Sequence, residues 1–151
     1  MRVSYIEDPK TWAENFNFFV EVKVRFSETD MYGHMNNTVS FTYFEYARIE
    51  FLKELGALMP SKDTETKSIP VVADLQCDYL QQVYFDETLH IYTRIAKVGN
   101  SSIDLQYLAK NGNGVPCFTG RGTIVMMNPE TGKSVALTNE QKLKLEGKLV
   151  K

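Results

Sequence analysis

Between Val20 and Phe26 the chain alternates without a break. Val20, Val22, Val24 and Phe26 are apolar, and Glu21, Lys23 and Arg25 between them are charged. A period of two puts the apolar set on one face, so the stretch predicts a half-buried strand with one wet side. The alternation stops at Ser27. A polar stretch follows and ends at Asn36, Asn37 and Thr38, all residue types that cap helices.

From Val39 to about Leu55 the spacing becomes helical, and Gly56 supplies a stop. At 100° per residue Phe41, Phe44, Phe51, Leu52 and Leu55 share one side, while Thr42, Tyr43, Tyr46 and Ile49 continue around the circumference. Only Glu50, Lys53 and Glu54 clearly seek water, which predicts a helix wrapped by other structure. Glu45 and Arg48, three apart beside the apolar side, are placed to pair with each other.

Residues 57–69 read as a polar, mobile connection containing "SKDTETK". Beyond Pro70 the patterns have strand period. Ala73, Leu75, Cys77 and Tyr79 alternate with polar residues, and so do Leu89, Ile91, Thr93 and Ile95. After a Gly-Asn turn at 99–100 come Ile103, Leu105, Tyr107 and Ala109, and "NGNG" at 111–114 marks a hairpin into a run from Cys117 to Met127. Thr138 and Gln141 form a capping box for a short terminal helix over 138–147. Strand, long helix and then four or more antiparallel strands make an α+β pattern, with one sheet of about five strands curved around one central helix. Residues 1–151 read as a single domain, with 1–17 as an N-terminal extension. The open edges of such a sheet favour pairing with a second copy.

Composition narrows the functions. Net charge is −2 with both signs interspersed, so no basic surface points to nucleic acid. No apolar run approaches the roughly 20 residues that span a bilayer, and the polar N-terminal stretch lacks a signal-peptide core, which predicts a cytoplasmic protein. Two cysteines outside any CxxC pair and two distant histidines, His34 and His90, argue against a disulfide framework and a metal site. The phosphate-binding, dinucleotide-binding and nucleophile-elbow glycine motifs are all missing.

That leaves "DMYGHMNN", residues 30–37, at the mouth of the helix. The segment "VRFSETDMYGHMNNTVSFTYFEYARIEFL" resembles the hotdog-fold acyl-CoA thioesterases of the 4-hydroxybenzoyl-CoA thioesterase type. Arg25, Phe26, Glu28, Thr29, Asp30, Gly33, Phe41, Phe44, Glu45, Ala47 and Arg48 fall in register with that family's pattern. The resemblance implies that Asp30 is the nucleophile or general base, and that the Asn37 backbone N–H polarises the thioester carbonyl. It implies that Gly33 lets the loop turn close to the substrate. It also implies homodimers or dimers of dimers with sites at the interface, and coenzyme contacts from residues 96–102, where Lys97, Asn100, Ser101 and Ser102 stand. "GHMNN" is similar to acyl-carrier-protein thioesterases, which keeps carrier-protein substrates open. Coenzyme A would enter as part of the substrate, with no separate cofactor.

The chemistry agrees with that assignment. A thiolate derived from a thiol of pKa about 8.5 leaves readily, so the reaction needs chiefly a nucleophile and stabilisation of the carbonyl oxygen. The unpaired N–H groups at a helix N-terminus supply the second, and a carboxylate just before it supplies the first. Plainer readings stand beside these: Asp30 as a turn aspartate, Asn36 and Asn37 as caps, His34 as a loop histidine instead of a substrate contact. Glu45 reads as half of an ion pair or as a second carboxylate that positions water. A non-catalytic acyl-CoA sensor is the alternative from another functional class; it expects a DNA-binding segment, and no stretch of the sequence fits one.

Overall fold

A computed structural model describes residues 3–58 and 68–147. The elements in chain order are α1 (Pro9–Glu14), β1 (Phe18–Lys23), α2 (Val39–Leu55), β2 (Ile69–Tyr79), β3 (Thr88–Val98), β4 (Ser102–Lys110), β5 (Pro116–Met127) and α3 (Asn139–Glu146). The five strands form one antiparallel sheet in the order β1-β3-β4-β5-β2. β1 and β2, which flank α2 in sequence, are therefore the two edges of the sheet, and α2 carries the chain from one to the other. The "SKDTETK" connection lies outside the described residues.

The period-two patterns of the central strands are realised as expected. Leu89, Ile91, Thr93 and Ile95 of β3 and Ile103, Leu105, Tyr107 and Ala109 of β4 are buried. They join one core with Tyr43, Phe44, Ala47, Phe51 and Leu52 of α2, Thr93 excepted. Phe44 is fully buried and stacks on Tyr107, ring centroids 4.4 Å apart. Room for its ring comes from Gly120, where a Cβ would sit 2.4 Å from Phe44 Cε2 and 2.9 Å from the Gln76 carbonyl oxygen. Helix α2 stops where expected, at Gly56 in the left-handed conformation, φ +64°. The capping box of α3 is formed, and Leu145 anchors it in the core.

Two expectations need correction. First, β1 ends at Lys23, and a short 3-10 turn over Phe26–Glu28 leaves Phe26 77% exposed. The cause is local: Glu28 Oε1 accepts the Arg25 N–H at 2.9 Å and closes a turn where the alternation alone would extend a strand. Second, the sheet covers α2 on one side only. Ser40, Tyr43, Phe44, Ala47, Arg48, Phe51 and Leu52 are buried, but Tyr46 is 47% and Ile49 39% exposed. One layer of five strands reaches one flank of a helix, and nothing else in the described chain covers the other. The N-terminal extension, from residue 3 onward, carries a helix and a small core of its own. Asp8 caps α1 with Pro9 at its first position, and Trp12 and Phe16 pack on Leu108 on the sheet face opposite α2. Trp12 Nε1 donates to Gln106 Oε1 at 2.8 Å, and Tyr5 Oη donates to Thr119 Oγ1 at 3.0 Å. The Arg94 guanidinium lies over the Trp12 and Phe16 rings.

Candidate active site

The loop from Thr29 to Asn37 is a small hairpin. Asp30 N–H donates to the His34 carbonyl at 2.8 Å, and Gly33 N–H returns to the Asp30 carbonyl at 3.1 Å. Gly33 adopts φ +81°, the left-handed region this turn requires, so its glycine is needed for conformation. Two contacts fasten the hairpin to its surroundings. Met35 N–H donates to the Val83 carbonyl at 2.7 Å, and Asn36 N–H donates to the Glu28 carbonyl at 2.8 Å. Glu28 is itself tied to the helix, because Tyr43 Oη donates to its Oε1 at 2.9 Å. Burial opposes ionisation of Glu28, but the Arg25 N–H, the Tyr43 hydroxyl and the Arg25 guanidinium outweigh it and hold the carboxyl below its usual range.

Asp30 combines the plain and the chemical reading. Its Oδ1 accepts the N–H groups of Tyr32 at 2.9 Å and His34 at 3.2 Å, which is an Asx turn. Its Oδ2 accepts no hydrogen bond from the described residues. One oxygen thus fixes the orientation and leaves the other for chemistry.

At the helix start the contacts are also divided. Asn36 Oδ1 accepts both the N–H and the hydroxyl of Thr38 at 3.0 Å, and the Asn36 carbonyl accepts the Val39 N–H at 3.0 Å. The N-cap is Thr38, which makes no side-chain cap hydrogen bond; Asn36 braces that residue from outside the helix, and neither asparagine is the cap. The Asn37 carbonyl accepts the hydroxyls of Ser40, at 3.0 Å, and Tyr79. The Asn37 N–H finds no acceptor among the described residues. The peptides on both sides of that N–H are therefore pinned while the donor itself is free, the arrangement an oxyanion site requires.

Asp30, His34 and Asn37 line one cleft of about 360 Å³ together with Tyr79, Gln81 and Gln82, over a floor of Met35, Val83 and Phe118. This volume falls in the range of small-molecule sites. The His34 ring packs edge-on against Tyr84, centroids 5.2 Å apart. Tyr79 and the 80–83 segment were not found from the sequence. They follow a strand pattern that ends at Tyr79, and nothing local shows that this end folds back beside residue 30.

The remaining candidates are not brought to this cleft within one chain. Glu45 is exposed on the outward side of α2, and Arg48 donates to the Tyr107 hydroxyl at 3.2 Å, so the expected Glu45–Arg48 pair does not form. Helical period explains it: position 45 shares its side with 42, 46 and 49, and position 48 shares the sheet side with 44 and 51. Lys97, Asn100, Ser101 and Ser102 surround the β3–β4 turn. Register puts Ser102 opposite Val125, whereas Tyr79 at the cleft pairs with Phe118 at the other end of β5. A nine-residue strand such as β4 separates the two ends by roughly 27 Å at 3.4 Å per residue. The turn itself is well anchored, with Leu137 N–H on the Asn100 carbonyl and Met126 N–H on the Ser101 carbonyl, both at 2.8 Å.

The single antiparallel sheet packed on one long helix is the hotdog fold of the thioesterases. The chain belongs to the thioesterase-like superfamily, whose profile matches residues 24–145. It is 49% identical to the uncharacterized protein YsmA of Bacillus subtilis (strain 168) over 140 residues, 92% of each chain. A predicted thioesterase from Bacillus stearothermophilus superposes with TM-score 0.77 at 30% identity, covering 88% of this chain and 96% of its own. A thioesterase from Thermus thermophilus, solved with coenzyme A and zinc, gives TM-score 0.72 at 28% identity, covering 89% and 95%. None of the helices among the described residues is long and apolar enough to cross a membrane.

Proposed function

We propose that the chain hydrolyses acyl-CoA thioesters at the cleft between the 30–37 loop and the end of β2. One observation carries the reading: Asp30, with one oxygen that accepts no hydrogen bond from the described residues, and the Asn37 N–H, which has no acceptor among them, line the same cleft at the start of α2. In the general-base route Asp30 Oδ2 takes a proton from water as the oxygen attacks the carbonyl carbon. The Asn37 N–H donates to the resulting oxyanion, which collapses and expels the thiolate of coenzyme A. In the nucleophilic route Oδ2 attacks the carbonyl carbon, the C–S bond breaks to release the thiolate, and water then cleaves the mixed anhydride to the free acid and the Asp30 carboxylate. Both consume only water, and neither calls for a cofactor beyond the coenzyme of the substrate. The solved relative with bound coenzyme A supports a CoA ester; the "GHMNN" segment supports an acyl-carrier protein as the second substrate class.

The distance between the cleft and the 97–102 turn favours a homodimer, or a dimer of dimers, in which a second copy brings its turn to the site. The 11-residue edge strand β2 and the exposed Tyr46 and Ile49 of α2 are surfaces such pairing would cover. Thiol release over a panel of acyl-CoAs and acyl-carrier proteins tests the activity. Turnover of CoA esters is expected, turnover of carrier-protein esters alone would reassign the substrate, and no release from either would refute the reading.

A further inference from the structure

A second cavity lies around the sheet end from the cleft. It is a groove of about 90 Å³ between the N-terminal segment and the outer face of the sheet, lined by Ile6, Trp12, Ala13, Leu80, Leu108 and Pro116 among others. Its neighbour Thr119 is already occupied by the Tyr5 hydroxyl, so the groove offers an apolar surface with no charged group. Leu80 lines both cavities. The junction continues on β5, where consecutive residues divide between the two: Phe118 floors the cleft and Thr119 lines the groove. Leu80 and Gln81 both donate their N–H groups to the Cys117 carbonyl, at 2.8 and 3.1 Å, which fixes the chain at this corner.

We infer that the groove is a subsite for the distal end of a straight aliphatic acyl chain, reached from the cleft past Leu80. The inference rests on the thioesterase reading of that cleft. The occupant has to be apolar, because no group in the groove rewards a polar one. With about 90 Å³ of room the groove suits the end of a chain better than a whole ring system. The end of an alkyl chain meets both conditions. Chain-length preference is then set by the segment 3–13, outside the catalytic loop.

The chain contains one tryptophan, Trp12, and it lines the groove, so its fluorescence reports occupancy directly. The experiment uses the full chain in its native assembly with non-hydrolysable S-alkyl-CoA thioethers, from S-methyl through S-octyl to S-dodecyl, and follows binding in parallel by calorimetry. S-methyl-CoA should leave Trp12 emission unchanged, and longer chains should shift it, with onset at one chain length. Ala13→Leu narrows the groove from α1, away from the cleft. It should weaken S-octyl-CoA binding about tenfold, leave S-methyl-CoA binding as in the wild type, and keep the melting temperature. Binding of S-octyl-CoA with no Trp12 response and no effect of Ala13→Leu would overturn the inference, as would failure of every thioether to bind at millimolar concentration. Turnover is read separately: a wild type that releases no thiol refutes the hydrolase reading, whereas the Trp12 response needs no turnover.

Discussion

Asp30 is held by two backbone N–H groups on one oxygen, so replacing it by asparagine keeps the turn and removes the charge. Asp30→Asn is expected to lower kcat by about 10²–10⁴-fold with little change in KM, because the lost interaction belongs to the transition state. Asp30→Ala is its companion. If either folded variant keeps more than a tenth of wild-type kcat, the base is another group. In the proposed reaction Tyr79 acts through its neighbour. Its hydroxyl contacts the Asn37 carbonyl and lies 3.0 Å from Ser40 Oγ, so it helps fix the peptide beside the free N–H. Tyr79→Phe should cut kcat about tenfold with KM and melting temperature nearly unchanged, since Ser40 still holds the carbonyl. A matching rise in KM would instead mark Tyr79 as a substrate contact. Local sequence shows Asp30 and Gly33 because a turn has strict residue requirements. It cannot show Tyr79, whose role depends on a contact 42 positions away.

At the scale of elements, the loop and the helix are coupled through Glu28 and Tyr43, and α2 and the sheet through Phe44 and Gly120. The Glu28 carboxyl is held below its unfolded value, so its contribution to stability is complete above the unfolded pKa of about 4.3 and is lost as pH falls through the lower folded value. Glu28→Gln should flatten the acid limb of a melting-temperature profile below about pH 5; a wild-type slope in that variant would assign the acid sensitivity to other carboxylates. Gly120→Ala places a methyl group inside contact distance of both the Phe44 ring and the Gln76 carbonyl. Neither can swing away, as the ring is fully buried and stacked and the carbonyl is backbone. Overpacking of this kind costs about 1–3 kcal/mol, and the melting temperature should drop by several degrees. An unchanged value would show that α2 rides up without penalty. The periodic strands and the capped helices α2 and α3 were legible from sequence, because periodicity and caps are local. Helix α1 was not, since six residues carry too little periodicity; only the Asp8-Pro9 start signal pointed to it.

For the whole molecule, the 97–102 turn lies at the far end of the sheet from residue 30, so the proposed reading needs a second copy to join the two. On that reading, light scattering at micromolar concentration should give a dimer or tetramer. In that assembly, replacing Lys97 and Ser102 together by alanine should raise KM for acyl-CoA much more than it lowers kcat. A monomer that retains full activity would exclude an interface-built site.

The sequence by itself determined the element types of the central sheet, the long helix with its stop at Gly56, and the placing of a carboxylate just before a helix start. Each of these follows from residues within one or two turns of one another. Only the tertiary structure decided that β1 and β2 are the two edges, that the end of β2 closes the cleft beside Asp30, and that the N-terminal segment roofs a groove on the outer face. It also turned Glu45 outward and gave Arg48 to Tyr107. Those outcomes depend on which strands pair and in what register, and pairing is a property of the whole sheet that no local pattern carries.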